Sequence, residues 1–104
     1  MRFMRSDNPN QLKSAVERLL NCKAHTAHSV PILETFEGKT MWEGVVHVFD
    51  LTGHLNATRA YAWSSPIKGS DKRRFCAVLH LPPVTSPLKA VRAAFVLEHW
   101  EIEQ

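Results

Sequence analysis

Cys22-x-x-His25-x-x-His28 sets three metal-ligating residue types at close spacing, with His47 and His99 elsewhere as candidates for a fourth ligand. Structural zinc sites draw on a closely spaced Cys pair and a second, distant pair. With only two Cys in the chain, the run reads as a polar helix end, and no metal is expected. Cys76 and His80 are the nearest thing to a nucleophile and its base. Four apart in one strand they share a face, yet they stand roughly 13 Å apart along it, and no Gly-x-Ser-x-Gly elbow accompanies them. His47 and His80 are the residues an enzyme would use, although His47 suits a hydrogen-bonded core position better than catalysis. Glu34, Glu37, Glu43 and Asp50 read as solvated strand ends, and the four glycines form no phosphate cradle. The expectation is a binding protein without cofactor rather than an enzyme.

Arg59, Tyr61, Trp63 and Arg74 form the one group that reads as a working surface. Aromatic faces stack on planar ligands, Arg recognises phosphate or carboxylate, and both types are enriched in protein interfaces. Lys72 and Arg73 extend it. Residues 59–74 hold five Lys/Arg and one Asp/Glu, more positive charge than the +3 of the whole chain. The segment 64–74, with Ser64-Ser65-Pro66 and Gly69-Ser70, has the turn chemistry of a basic loop. Self-association through this surface is the first expectation; binding of nucleic acid or a small anionic ligand is the alternative.

The elements that must position these residues follow from periodicity. Asn8-Pro9 opens a helix as cap and first helical position, and Leu12, Ala15, Val16, Leu19 and Leu20 recur on one side of it. The helix should end near Cys22 or Lys23. Pro31 then favours extended chain through Ile32 to Phe36, and Glu37-Gly38-Lys39 is a turn. Three longer strands follow: Met41 to Leu51, Asn56 to Ser64, and Arg73 to Leu81, the last stopped by Pro82-Pro83. Ser86-Pro87 opens a closing helix that runs to about Ile102.

Turning the first long hairpin around Gly53-His54 sets Val46 opposite Tyr61, Val48 opposite Arg59 and Gly44 opposite Trp63, with the ring of Trp63 over Gly44. A second hairpin through the basic loop sets Tyr61 opposite Cys76 and Trp63 opposite Arg74 and completes the sheet. One face then holds Val45, His47, Phe49, Thr58, Ala60, Ala62, Phe75, Ala77 and Leu79, and is the predicted core. Val46, Val48, Arg59, Tyr61, Trp63, Arg74, Cys76, Val78 and His80 lie on the other, outward face. The fold expected is α+β: helix, a three- to four-stranded antiparallel sheet, helix, with both helices on one face and residues 1–104 as a single domain. In the closing helix, Leu97 and Trp100 lie opposite the stripe of Leu88, Val91, Phe95 and Ile102, which suggests a two-fold dimer.

The order of helix, three antiparallel strands and helix resembles the double-stranded-RNA-binding fold, with Ser86–Ala94 (SPLKAVRAA) standing where that family carries a basic helix start. The segment has Lys89 and Arg92 but not the family's clustered lysines, so RNA binding is implied by analogy of fold alone. No stretch approaches the roughly 18 apolar residues of a membrane span, and residues 1–8 lack the apolar core of a signal peptide. A soluble cytoplasmic protein with free Cys22 and Cys76 is therefore expected.

Overall fold

The computed structural model describes the backbone of residues 9–67 and 69–103, and the side chains of that span except Pro9, Pro66 and residues 96–103. In chain order the elements are α1 (Pro9–Leu20), β1 (Lys23–Phe36), β2 (Lys39–Thr52), β3 (Arg59–Pro66), β4 (Arg73–Leu79) and α2 (Pro87–Glu103). The four strands form one antiparallel sheet in the order β1-β2-β3-β4. The class is α+β.

Local chemistry explains the joints. Asn21, at φ 54°, is the left-handed residue that ends α1. The Cys22 N–H reaches back to the Glu17 carbonyl at 3.3 Å, and the Ala24 N–H donates to the Glu17 carboxylate at 2.9 Å. The helix end is thereby tied to the first residues of β1. Glu37 and Gly38 both take positive φ, as a two-residue hairpin turn requires. β1 starts at Lys23 and so is much longer than the short strand expected around Pro31. Pro31 is tolerated because β1 is an edge strand and a missing N–H need not break a ladder there. At the far end Ser86 caps α2, its Oγ accepting from the Lys89 N–H at 3.2 Å. The cap expected from Asn8 lies outside the described residues.

Both predicted registers are displaced by two residues. Val48 pairs with Tyr61 and Asp50 with Arg59, while Tyr61 pairs with Val78 and Trp63 with Cys76. Because side chains alternate with period two, an even displacement leaves every residue on its predicted face. The sorting of side chains into two sets therefore stands.

Placement of the helices on one face does not stand. Leu12 and Val16 of α1 pack with Ala24, Phe49, Leu51, Ala60 and Ala62, and Phe75, Ala77 and Leu79 adjoin them. Ala90 and Val91 of α2 pack with Val46, Val48, Tyr61 and Trp63 on the opposite face. The physical reason is size matching. On the α1 side the sheet presents alanines, so large helix residues fit close to its backbone. On the α2 side the sheet presents large residues, and the helix meets them with Ala90 and Ala94. A sheet with two apolar faces needs two covers. The fourth strand also separates the chain from the three-strand order of the double-stranded-RNA-binding fold.

The ring that covers Gly44 is likewise not the expected one. The Trp42 indole lies where a Cβ on Gly44 would stand, with its nearest carbon 2.8 Å from that position. Trp63 meets Trp42 edge-on, with ring centroids 5.8 Å apart.

Candidate functional site

The predicted working surface divides in the structure. Tyr61 and Trp63 are only 2% and 3% exposed, beneath α2. An outward aromatic surface is thus corrected to a second core, because α2 covers the face assigned to solvent. Lys72, Arg73 and Arg74 are exposed at the β3–β4 hairpin tip. Arg73 folds back on its own hairpin, its Nε donating to Ser64 Oγ at 2.7 Å and its Nη2 to the Ser64 carbonyl at 3.1 Å. Arg59 is at the other end of the sheet, paired with Asp50 at 3.2 Å. The six residues are consequently not one surface. The side chains of Leu97 and Trp100 lie outside the described residues.

The candidate metal run is also taken apart. Cys22 packs against the α1-side core, whereas His25 pairs with Asp50 and His28 with Val48 on the α2 side. A bulge at Ala27 puts both histidines on that same face. Among the described residues no group of three or more His, Cys, Asp or Glu could hold a metal ion. Cys22 and Cys76 are free thiols belonging to opposite cores. Burial raises the Cys22 thiol above its ordinary range, with the nearby Glu17 charge adding to the effect.

His47 is buried on the α1 side with its Nδ1 3.0 Å from Ser29 Oγ, its neighbour across the ladder. His80 is half-buried, and its Nδ1 is bonded to the Tyr61 hydroxyl. Burial holds the Tyr61 phenol above its ordinary range, against a smaller opposing pull from the Arg59 charge.

Two surfaces emerge that sequence reasoning missed. The first follows from the β2–β3 ladder, which runs only from His47–Ala62 to Asp50–Arg59, while β1–β2 and β3–β4 stay paired out to their tips. The sheet thus ends in two arms. On the α1 side of the arms, Leu33 is 59% exposed and Val45 38%, beside Pro31 and Glu43. Across the gap the same side carries Ser64, Arg73 and Phe75. One arm thus carries an acidic residue, Glu43 on the strand beside the gap with Leu33 outside it, and the other a basic residue, Arg73 on its outer strand next to Phe75. The second surface is a polar row at the opposite end, where His25, Asp50, Arg59 and His80 are cross-strand neighbours on the α2 side.

Among the described residues no helix is long and apolar enough to cross a membrane. Comparison with known proteins found no matching family model, no similar curated protein and no similar solved structure.

Proposed function

We infer that this chain is a non-enzymatic interaction protein that pairs with a second copy of itself through the α1 side of the two arms. The observation that carries the reading is the exposed apolar pair Leu33 and Val45, edged by Glu43 on one arm and Arg73 on the other. A two-fold axis through such a patch brings each copy's Glu43 toward the other's Arg73, with Leu33 and Val45 flanking the charged contact. That self-complementarity is what an isologous contact requires. The surface used differs from the sheet face first expected, since α2 occupies that one.

Size sets the strength. Each arm, two strands about 4.8 Å apart and some six residues at about 3.3 Å rise, offers roughly 10 by 20 Å, so the two arms together present on the order of 400 Å² per copy. A standard interface buries about 800 Å² per partner, so with about half that area the association is weak and shows only at high protein concentration. Sedimentation equilibrium up to about 1 mM tests this range. The weight-average mass rises from 11.8 kDa toward twice that value, Leu33→Glu and Val45→Glu each abolish the rise, and the exchange of Glu43→Arg with Arg73→Glu retains it. A mass of 11.8 kDa at every concentration, or association indifferent to Leu33→Glu, overturns the reading.

Binding of a nucleic acid or an anionic ligand at the basic tip is the second reading. The exposed cluster of Lys72, Arg73 and Arg74 favours it, although the stacking surface expected from Tyr61 and Trp63 is buried. Polyanion affinity that falls steeply with salt and drops on Lys72→Ala supports this alternative. Retention that ignores salt removes it.

A further inference from the structure

The α2-side face ends in a row of four polar side chains, three from β1, β2 and β3 and the fourth, His80, just past the end of β4. Ladder pairing sets His25 beside Asp50 and Asp50 beside Arg59. The His80 N–H donates to the Arg59 carbonyl at 2.9 Å, which places the fourth residue alongside the third. One step toward α2, Val48 and Tyr61 are fully buried; in the row itself Arg59 and His80 are half-exposed and His25 and Asp50 open to solvent. The row is therefore the rim where the apolar core meets water.

We propose that Arg59 and His80 form a binding site for a phosphate or carboxylate oxyanion. Each of the two donors is held by a separate neighbour. The Nε and Nη2 of Arg59 both lie 3.2 Å from Asp50 Oδ1, so one edge of the guanidinium is spent on the carboxylate and its plane is set. The other edge remains directed away from Asp50, in the fixed fork that suits an oxyanion. His80 is oriented from below by the Tyr61 hydroxyl on Nδ1. With the buried phenol as donor, the neutral imidazole carries its proton on Nε2, which makes the outer nitrogen a donor as well. Two pre-oriented donors on neighbouring backbones joined by the His80 N–H to Arg59 carbonyl bond, about 4.8 Å apart as strands are, span the oxygens of one phosphate or carboxylate. His25 and His28 stand beyond Asp50 on the same face and extend the row toward a larger ligand.

The roles differ. Arg59 and His80 contact the anion; Asp50 and Tyr61 are positioning residues. Phosphate presents four oxygens in a tetrahedron and carries more charge, so it can engage both donors at once from different oxygens, whereas acetate presents two in one plane. The proposal accordingly expects phosphate to bind more tightly than acetate.

Titration of the full chain with inorganic phosphate, followed by NMR of backbone and histidine ring signals, is the test. Acetate and chloride at matched ionic strength are the other arms. Saturable shifts centred on Arg59 and His80, with chloride silent, are expected. Arg59→Gln and His80→Gln each weaken binding at least fivefold. Tyr61→Phe weakens it about threefold and changes the His80 tautomer signature in nitrogen-15 shifts, which a purely structural role leaves alone. Lys39→Ala, at the exposed β1–β2 turn, leaves affinity unchanged. Shifts that track chloride equally, or that map to Lys72–Arg74, overturn the proposal, as does full phosphate affinity in a folded Arg59→Gln protein. Because these residues lie at the opposite end of the sheet from Leu33 and Glu43, failure here leaves the self-association reading untouched, and the reverse holds.

Discussion

Replacing Gly44 by alanine isolates one packing contact whose sign can be worked out beforehand. The added Cβ stands 2.8, 3.1 and 3.4 Å from three carbons of the Trp42 indole, against an optimum of about 3.5–4.0 Å for carbon pairs. The ring must therefore retreat by about 0.7 Å. Trp63, 3% exposed and edge-on at 5.8 Å, adjoins it in the same core. Overpacking of this kind costs about 1–3 kcal/mol. Removing a glycine from a strand interior gains about 0.5–1 kcal/mol, since alanine loses less backbone freedom on folding. The net expectation is destabilisation of about 1–2 kcal/mol. In a Trp42→Ala background the clash is gone and only the backbone gain remains, so the same substitution stabilises by about 0.5 kcal/mol. Urea denaturation followed by circular dichroism, run as a double-mutant cycle, reads both values. A Gly44→Ala protein as stable as the parent, or equally destabilised in both backgrounds, refutes the claim that the Trp42 ring requires a bare backbone at residue 44.

Trp63→Ala empties the α2-side core and should cost about 3–5 kcal/mol in urea melts, whereas Lys72→Ala at the exposed tip stays within about 0.5 kcal/mol. Comparable effects for the two would mean that residue 63 is not buried. The Glu17 carboxylate is held below its ordinary range first by the Ala24 N–H and then by Lys13. A lowered folded pKa contributes stability above the ordinary value of 4.5 that is lost as pH falls through the folded value. The deficit of Glu17→Gln in thermal melts should thus be full at neutral pH and vanish in acid; a deficit independent of pH contradicts the assignment. Tyr61 is the only tyrosine, and its phenol is held above the ordinary range by burial. That stability is present below the ordinary value of 10.0 and is lost as pH rises through the folded value. Tyrosinate absorbance should accordingly appear late and together with unfolding, and Tyr61→Phe should blunt alkaline denaturation. A titration at the ordinary value in the folded protein removes the argument.

The order of elements was legible because local signals agree. Pro9, Pro87 and Ser86 mark helix starts, Leu12 through Leu20 carry the helical period, and Glu37-Gly38 can only turn. Facial assignment was legible as well, since alternation survives the two-residue error in register. Which face meets water was not legible. A clue existed in the run Val45-Val46-His47-Val48-Phe49, apolar on both faces but for His47, because a central strand covered on both sides reads as nearly continuous rather than alternating. The sequence offers Arg59 and Arg74 on the same face as Tyr61 and Trp63, and their cationic types argued for exposure. The structure resolves that conflict by length: the arginines sit at the two ends of the face and α2 covers only its middle.

The working surfaces depended still more on the third dimension. Glu43 and Arg73 are 30 positions apart, and what places them on opposite arms of one bare patch is the early end of the β2–β3 ladder. His25, Asp50, Arg59 and His80 have no common spacing, and a bulge at Ala27 was needed to bring His25 and His28 to one face. Sequence alone determined the element types and the two sets of side chains, because backbone periodicity acts over a few residues. Only the tertiary structure decided which set α1 covers, which set α2 covers and what stays outside both, because that choice depends on the fit of large residues against small ones between segments remote in the chain.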